Sequence, residues 1–194
     1  MFPHNPALSQ ALAKRCALLV GVDPSDNLDE NRFVHRRVKR TIEEFESEHT
    51  YDLASLRMVA EHIPHPKLAV ESLARLIRPG GRVVVYTPNR WSPISVASSV
   101  IPFWLHHAIK SLIWRTGRED TFPTFYRMNT RRRLRALFEE SGFKEVGFAY
   151  LDDCTTAFAR LRVLCLLQLV LWRLFRAVRL RYPENCLLGV YERE

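Results

Sequence analysis

The sequence predicts an α/β layer fold, in which helices and strands alternate along a chain of 194 residues. The run 17–23 is almost continuously apolar, as is typical of a strand buried on both faces of a parallel sheet, and 82–87 is predicted to be a second strand of this kind. Between strand-like runs lie amphipathic stretches with helical spacing, the clearest of which opens at Pro66. Hydrophobic residues make up 47% of the chain, which is enough for one globular domain spanning 1–194.

The N-terminal part of the chain alternates helix and strand. Pro6 opens a predicted helix that runs to about residue 15, and 17–23 follows as a buried strand. The polar stretch 27–40 is predicted to be helical, and 41–45 is predicted to be a short edge strand. Together these segments favour helices layered against a sheet.

The middle of the chain predicts one right-handed βαβ unit. A strand over 51–56 is followed by the helix that opens at Pro66, and Pro79-Gly80-Gly81 ends that helix. The buried strand 82–87 then returns parallel to the first.

The C-terminal half opens with an irregular segment, 88–130, that is rich in aromatic residues and prolines and is typical of a substrate lid. A helix from about 131 to 141 and a strand over 145–151 follow. A long amphipathic helix over 156–181 and a last strand over 186–191 complete the predicted elements.

The charge, the cysteine positions and the glycine pattern of the chain limit which partners and which kinds of site are expected. The formal charge is +8, but no recognisable nucleic-acid-binding module accompanies it, so nucleic acid is not an expected partner. The four cysteines are scattered and no group of His, Cys or Asp has metal-ligand spacing, so no metal is expected and a reducing cytoplasm is the expected compartment. The chain has seven glycines, none of them in a G-x-G pattern.

Asp23 ends the first buried strand and is the first candidate for a binding role. Ligands of open α/β sheets sit outside the carboxyl ends of the strands, and a carboxylate there can accept both hydroxyl hydrogens of a ribose. The sequence Asp-Pro-Ser suits a turn or helix-capping aspartate equally well.

Four segments in this order resemble class I S-adenosylmethionine-dependent methyltransferases of the small-molecule type: VGVDPS (20–25), YDLASLRMVAEHI (51–63), RLIRPGGRVVVYTPN (75–89) and YRMNTRRRLRALFEESGF (126–143). The resemblance spans roughly residues 6–194. It implies a Rossmann-like parallel sheet with helices on both faces and a C-terminal antiparallel strand, incomplete at the N-terminus.

The resemblance implies S-adenosylmethionine as the cofactor. Asp23 matches the acidic residue that holds the cofactor ribose in this family. The other positions that it implies for the cofactor are Pro24, Ser25, Glu43, Arg57 and Met58. His62 matches a histidine near the junction of cofactor and substrate and is the candidate catalytic residue, with a purely structural hydrogen bond as the alternative.

The aromatic segment lies where the family builds its substrate lid. Trp91, Trp104 and Tyr126 are the candidates for enclosing a small or lipid-like acceptor, although each could simply pack on the sheet. Arg131, Arg132 and Arg133 begin a helix against its dipole, which fits either binding of an acidic group or a solvated surface turn.

The long helix over 156–181 has an uncharged stretch, 163–172, that is too short to span a bilayer. Arginines flank that stretch, so the helix suits either peripheral contact with anionic lipid or packing on the sheet with snorkelling arginines.

The sequence departs from the family at its start, because the family's first strand and glycine-rich loop should precede the helix at Pro6. Only five residues stand there. That loop lets backbone N–H groups approach the cofactor closely, which a side chain would prevent. The sequence therefore predicts weak S-adenosylmethionine binding by this chain. Two interpretations of the chain are open at this point: a truncated enzyme, or a degenerate, non-catalytic binding module.

Overall fold

The computed structural model describes residues 6–93, 95–96, 123–151, 162–180 and 183–194. The described helices are α1 (Pro6–Ala13), α2 (Pro66–Leu76), α3 (Arg131–Glu140) and α4 (Arg162–Ala177). The described strands are β1 (Val20–Val22), β2 (Arg36–Val38), β3 (Tyr51–Arg57), β4 (Ile77–Pro88), β5 (Phe143–Leu151) and β6 (Cys186–Arg193). Two short 3₁₀ helices lie at Asp26–Glu30 and Ala60–His62.

The strands of the described residues form two separate sheets. Four strands make one sheet in the order β3-β4-β6-β5, whereas β1 and β2 pair only with each other. β3 is parallel to β4, β1 is parallel to β2, and β6 runs antiparallel to both of its neighbours. The predicted α/β fold with an antiparallel last strand is therefore confirmed.

The core lies on one face of the four-stranded sheet. Val83 and Val85 of β4 have no accessible surface, and they belong to one buried cluster with Leu73 of α2 and Phe138 of α3. Side chains alternate along a strand, so Val84 points to the opposite face. There it lines a groove together with leucines of α1. Helices consequently lie on both faces of this sheet, as predicted.

The predicted helix over 27–40 and the predicted edge strand over 41–45 are both wrong. The first segment contains only the 3₁₀ helix and β2, because its backbone pairs with the neighbouring strand: the N–H groups of His35 and Arg36 both donate to Leu19 O. The second is a turn, closed by Glu44 N donating to Thr41 O over 3.3 Å.

Strand β4 begins five residues before its predicted start, because helix α2 ends at Leu76. Pro79-Gly80-Gly81 therefore lies inside β4, where the pairing with β3 shifts register. Gly80 adopts φ +74°, the left-handed region that glycine enters without steric cost. At the other end of the chain, the described part of the predicted helix over 156–181 is α4, which ends at Ala177 shortly before the left-handed Arg179.

Candidate functional site

Asp23 directly follows β1 and is half-buried. Its Oδ1 accepts hydrogen bonds from Ser25 N at 2.8 Å and from Ser25 Oγ at 2.6 Å, and its own N–H donates to Val38 O at 3.2 Å. The carboxylate therefore holds the Asp-Pro-Ser turn in place. This geometry is the one expected of a turn aspartate, and it puts the acid at the carboxyl end of a parallel strand.

Two further predicted cofactor residues, Arg57 and Met58, lie where β3 ends. Met58 adopts φ +54°, which is uncommon for a residue with a side chain and costs on the order of 1–3 kcal/mol. Its N–H donates to Tyr86 O at 2.7 Å, so β4 holds the strained residue in place. Glu43, in contrast, lies in the turn before β3, and its buried Oε1 has no hydrogen-bond partner among the described residues.

A buried carboxyl group, that of Glu61, lies just beyond the end of β3. Only 4% of this residue is exposed. Its Oε2 accepts a hydrogen bond of 2.9 Å from Thr87 Oγ1, and Asn129 Nδ2 donates to Thr87 Oγ1 at 2.7 Å and to Pro88 O at 3.0 Å. Burial raises the pKa of Glu61 above its ordinary value, because the apolar surroundings penalise the charged form. We call Glu61, Thr87 and Asn129 the buried polar triad.

The buried polar triad was missed by the sequence analysis. The one available signal was an acidic residue within the apolar run Val59-Ala60-Glu61-His62-Ile63. A carboxyl in such a run is either on a turn that exposes it or buried with partners. The partners come from β4 and from the residues before α3, which no local pattern joins to Glu61.

The backbone around Glu61 anchors the segment that precedes α3. Glu61 O accepts hydrogen bonds from Phe125 N at 2.8 Å and from Tyr126 N at 3.3 Å. Arg127 Nη1 donates to Pro64 O at 2.6 Å. Tyr126, a predicted substrate residue, is held in a left-handed conformation, with φ +50°. The structure therefore brings Tyr126 next to the segment that carries His62.

His62, the candidate catalytic residue, is also tied to this segment. Its Nδ1 lies 2.8 Å from Pro123 O, and because a carbonyl oxygen can only accept, Nδ1 carries the proton. In the neutral ring Nε2 then carries the lone pair, and it lies 3.9 Å from Glu61 Oε1. The hydrogen bond to Pro123 O thus orients the imidazole, with Nε2 towards the buried Glu61 carboxyl.

Comparison with known proteins identifies the family. A family model described as a methyltransferase domain matches residues 7–146. The chain belongs to this methyltransferase family. Its resemblance to class I S-adenosylmethionine-dependent enzymes is thereby confirmed, and S-adenosylmethionine is the cofactor of the family.

Curated relatives match part of this methyltransferase chain. The chain is 32% identical over 93 residues to the ubiquinone biosynthesis O-methyltransferase of Saccharophagus degradans and 33% identical over 93 residues to that of Shewanella halifaxensis. Each match covers 43% of the chain and 39% of the relative. The matched segment thus spans about two fifths of the length of these relatives.

Solved methyltransferase structures share the fold. The N-methyltransferase NodS from Bradyrhizobium japonicum, in complex with S-adenosyl-L-homocysteine, aligns over 97% of this chain and 72% of its own, with a TM-score of 0.56 and 13% identity. Magnesium protoporphyrin IX methyltransferase from Synechocystis, with S-adenosylhomocysteine bound, aligns over 97% and 69%, with a TM-score of 0.56 and 14% identity. At such identities the likeness concerns the fold alone.

The residues at the strand ends fit only the ribose part of S-adenosylmethionine. Asp23 offers a half-buried carboxylate for ribose hydroxyls. Among the described residues, however, no glycine stands directly after β1, β3 or β4, and Met58 stands at the end of β3 with its side chain present. A backbone cradle for the rest of the cofactor is therefore missing from these residues, and they do not form a complete site for it.

The structure describes two of the three residues predicted to contact the acceptor, and these two lie in different surroundings. Trp91 is 64% exposed, and the guanidinium of Arg90 lies 5.8 Å from its ring centroid. Tyr126 is half-buried beside Glu61, and Trp104 lies outside the described residues. The structure thus brings Tyr126 and His62 to one segment and leaves Trp91 on the surface.

An apolar groove of about 290 Å³ lies on the sheet face beneath α1. It is lined by Leu8, Leu12, Leu53, Ser55, Arg57, Val84, Tyr86 and Leu188. Arg57 is the one predicted cofactor residue in this lining.

Proposed function

We propose that this chain takes part in S-adenosylmethionine-dependent methyl transfer to a small or lipid-like acceptor. The observation that carries the proposal is the half-buried carboxylate of Asp23 at the carboxyl end of a parallel strand, inside the stretch that the methyltransferase family model matches. The curated relatives are O-methyltransferases, which favours a hydroxyl oxygen as the acceptor atom.

In this proposal Asp23 accepts the ribose hydroxyls of the cofactor. Its neighbours on the cofactor side are Pro24, Ser25, Glu43, Arg57 and Met58. His62 takes the proton from the acceptor hydroxyl through Nε2, since Nδ1 is engaged with Pro123 O. Tyr126 contacts the acceptor on the same side as His62. Trp91 and Trp104 are the further residues that we propose for contact with the acceptor.

We further propose that the residues described above hold the cofactor only weakly. Two observations support this. The β1–β2 pair is not hydrogen-bonded to the four-stranded sheet, and the outer edge of β3 has no strand partner among the described residues. A further parallel strand between β1 and β3, ending in a glycine-rich loop, would join the two sheets and supply the missing backbone cradle.

A second candidate function is a non-catalytic binding module that keeps the α/β scaffold. The absence of any G-x-G pattern in the sequence favours it, because close backbone approach to the cofactor depends on such glycines. The two candidates differ in what happens when a glycine-rich loop is supplied. A methyltransferase site regains cofactor affinity, whereas a degenerate module does not.

The deciding experiment is calorimetric titration of S-adenosylmethionine into two proteins. The first is this chain. The second carries, ahead of Pro6, the first strand and glycine-rich loop of the Saccharophagus degradans relative. We expect weak or undetectable binding by the first and clear binding by the second. A micromolar dissociation constant for the chain itself would contradict the weak-binding proposal, and no gain on extension would favour the non-catalytic module.

The role of Asp23 is tested in the extended protein. Asp23→Asn removes the charged acceptor, and we expect a loss of about 1–3 kcal/mol of cofactor affinity, roughly a 5- to 150-fold rise in the dissociation constant. Asp52→Asn, at a largely exposed carboxylate on β3, is the matched control and should leave the affinity unchanged. Equal affinity of the Asp23 variant and the control would remove Asp23 from the site.

A further inference from the structure

Helix α4 exposes more apolar surface than any part of the chain that the structure describes. Ten of the twenty large apolar side chains that are exposed among the described residues lie between 163 and 180. Among the helix residues whose side chains the structure describes, Gln168 is the one that is buried, and Cys165 and Phe175 are half-buried. Contiguous exposed apolar surface of this kind marks an interaction site in a soluble domain.

Part of the exposed apolar surface forms one stripe along the helix, while Leu169 and Trp172 are exposed on other sides of it. Five side chains of this stripe, which we call the outer face, are each more than half exposed: Val163, Leu166, Leu167, Val170 and Leu174. Their spacing of three or four residues puts them along one stripe. Gln168, Cys165 and Phe175 lie on a different stripe, which is turned towards the rest of the chain. None of the residues that the structure describes covers the outer face.

The charged residues of the sequence around α4 are of one sign. Between residues 154 and 183 the chain has six arginines and no acidic residue or lysine. Arg173, Arg176 and Arg179 are exposed, and the Arg176 guanidinium lies 5.3 Å from the Trp172 ring centroid. A helix that combines an apolar stripe with a tryptophan and several arginines is typical of a membrane interface.

We propose that α4 is a membrane-surface helix that docks this domain on an anionic lipid bilayer. The outer face enters the boundary between headgroups and acyl chains, and the arginines contact lipid phosphates. None of the helices that the structure describes is long and apolar enough to cross a membrane, so the contact is made by a helix lying along the surface.

An anionic bilayer fits this surface better than a second copy of the chain. Two copies packed through the outer face would bring their arginines together, and residues 154–183 supply no acidic side chain to balance them, whereas anionic headgroups supply the opposite charge. The proposal rests on the exposure and charge of α4 and not on the methyltransferase activity. A failed docking test would therefore leave the proposed function untouched, and a failed cofactor titration would leave the docking untouched.

Vesicle flotation tests the proposal with the full chain. Vesicles of phosphatidylcholine alone are compared with vesicles containing about one third phosphatidylglycerol, at low and high salt. We expect the protein to float with the anionic vesicles, and salt to weaken the binding. Absence of flotation with anionic vesicles would overturn the proposal, and so would equal flotation with neutral ones.

Two double variants separate the apolar and charged contributions. Leu166→Ser/Val170→Ser should lower the partition coefficient by about tenfold or more, because two apolar side chains no longer enter the interface. Arg173→Ser/Arg176→Ser should lower it about fivefold per arginine, on anionic vesicles only. Leu68→Ser, at an exposed leucine of α2, is the matched control and should float like wild type.

All four substituted positions on α4 are exposed, so the variants should fold. Circular dichroism and urea unfolding test whether they do. Unchanged flotation of the Leu166→Ser/Val170→Ser variant would overturn the proposal. Sedimentation analysis covers the alternative occupant. A dimer that this variant abolishes, with no vesicle binding by wild type, would assign the outer face to a second copy instead.

Discussion

Replacing Thr87 by valine should destabilise the fold through the buried polar triad alone. Thr87 is fully buried, and valine has nearly its shape, so the change leaves no cavity. The lost hydroxyl donates to Glu61 Oε2 and accepts from Asn129 Nδ2. Asn129 Nδ2 keeps Pro88 O as an acceptor, but the buried Glu61 oxygen loses a donor. The lost hydrogen bond to the Glu61 carboxyl should cost about 1.5–3 kcal/mol, and the loss at Asn129 is smaller. We therefore expect the substitution to lower the free energy of unfolding by about 2–4 kcal/mol.

The sign of the pH dependence follows from the same hydrogen bond. The Thr87 hydroxyl stabilises the charged carboxylate and so opposes the rise in the pKa of Glu61 that burial causes. Without it that pKa rises further, and the cost of the substitution should grow as pH increases. Urea unfolding at several pH values measures both the size and the trend, and the corresponding shift in Tm is roughly 5–15 °C.

The control for this prediction is Thr50→Val, at an exposed threonine of the loop before β3. It should change the free energy of unfolding by less than about 0.5 kcal/mol. If Thr87→Val were as mild as the control, the hydrogen bonds of the buried polar triad would not stabilise the fold and the reasoning would fail.

Two further predictions concern the core. Burial raises the pKa of Glu61, so the stability that its proton contributes is complete below the unfolded value, near 4.5, and is lost as pH rises through the higher folded value. The side chain of the Glu61→Gln variant cannot ionise, so its free energy of unfolding should rise relative to that of wild type as pH increases above about 4.5. A difference between the two proteins that stays constant with pH would contradict this. Phe138 stacks on Tyr191 with 4.1 Å between ring centroids, so Phe138→Ala should cost about 3–5 kcal/mol in urea unfolding and Phe138→Leu clearly less; equal costs would refute the packing argument.

Local patterns were enough to predict the elements whose partners are near in sequence. The run Val83-Val84-Val85 and the proline at the start of α2 predict β4 and α2, because burial on both faces and helix initiation leave local signals. Strand β2 could not be predicted in this way. Two of its three residues are arginines, and the pairing with β1, in which Arg36 lies opposite Val20, makes them a strand.

The candidate site was predictable to the same limited extent. Asp23 could be picked out because it ends an apolar run, and His62 because of the family resemblance. The buried polar triad could not, since Glu61, Thr87 and Asn129 come from three separated segments. Their hydrogen bonds exist only after the chain has folded, so no periodicity in the sequence records them.

The separation of β1 and β2 from the larger sheet has a consequence for local stability. Each of these strands has three residues, and their hydrogen bonds are not shared with the four-stranded sheet. Amide protons there, such as that of Asp23, should exchange with solvent through local opening, while those of Val83 and Val85 in the core wait for global unfolding. A ligand held by Asp23 would therefore have to order a cooperative unit of its own, and its binding should appear as slower exchange confined to that unit.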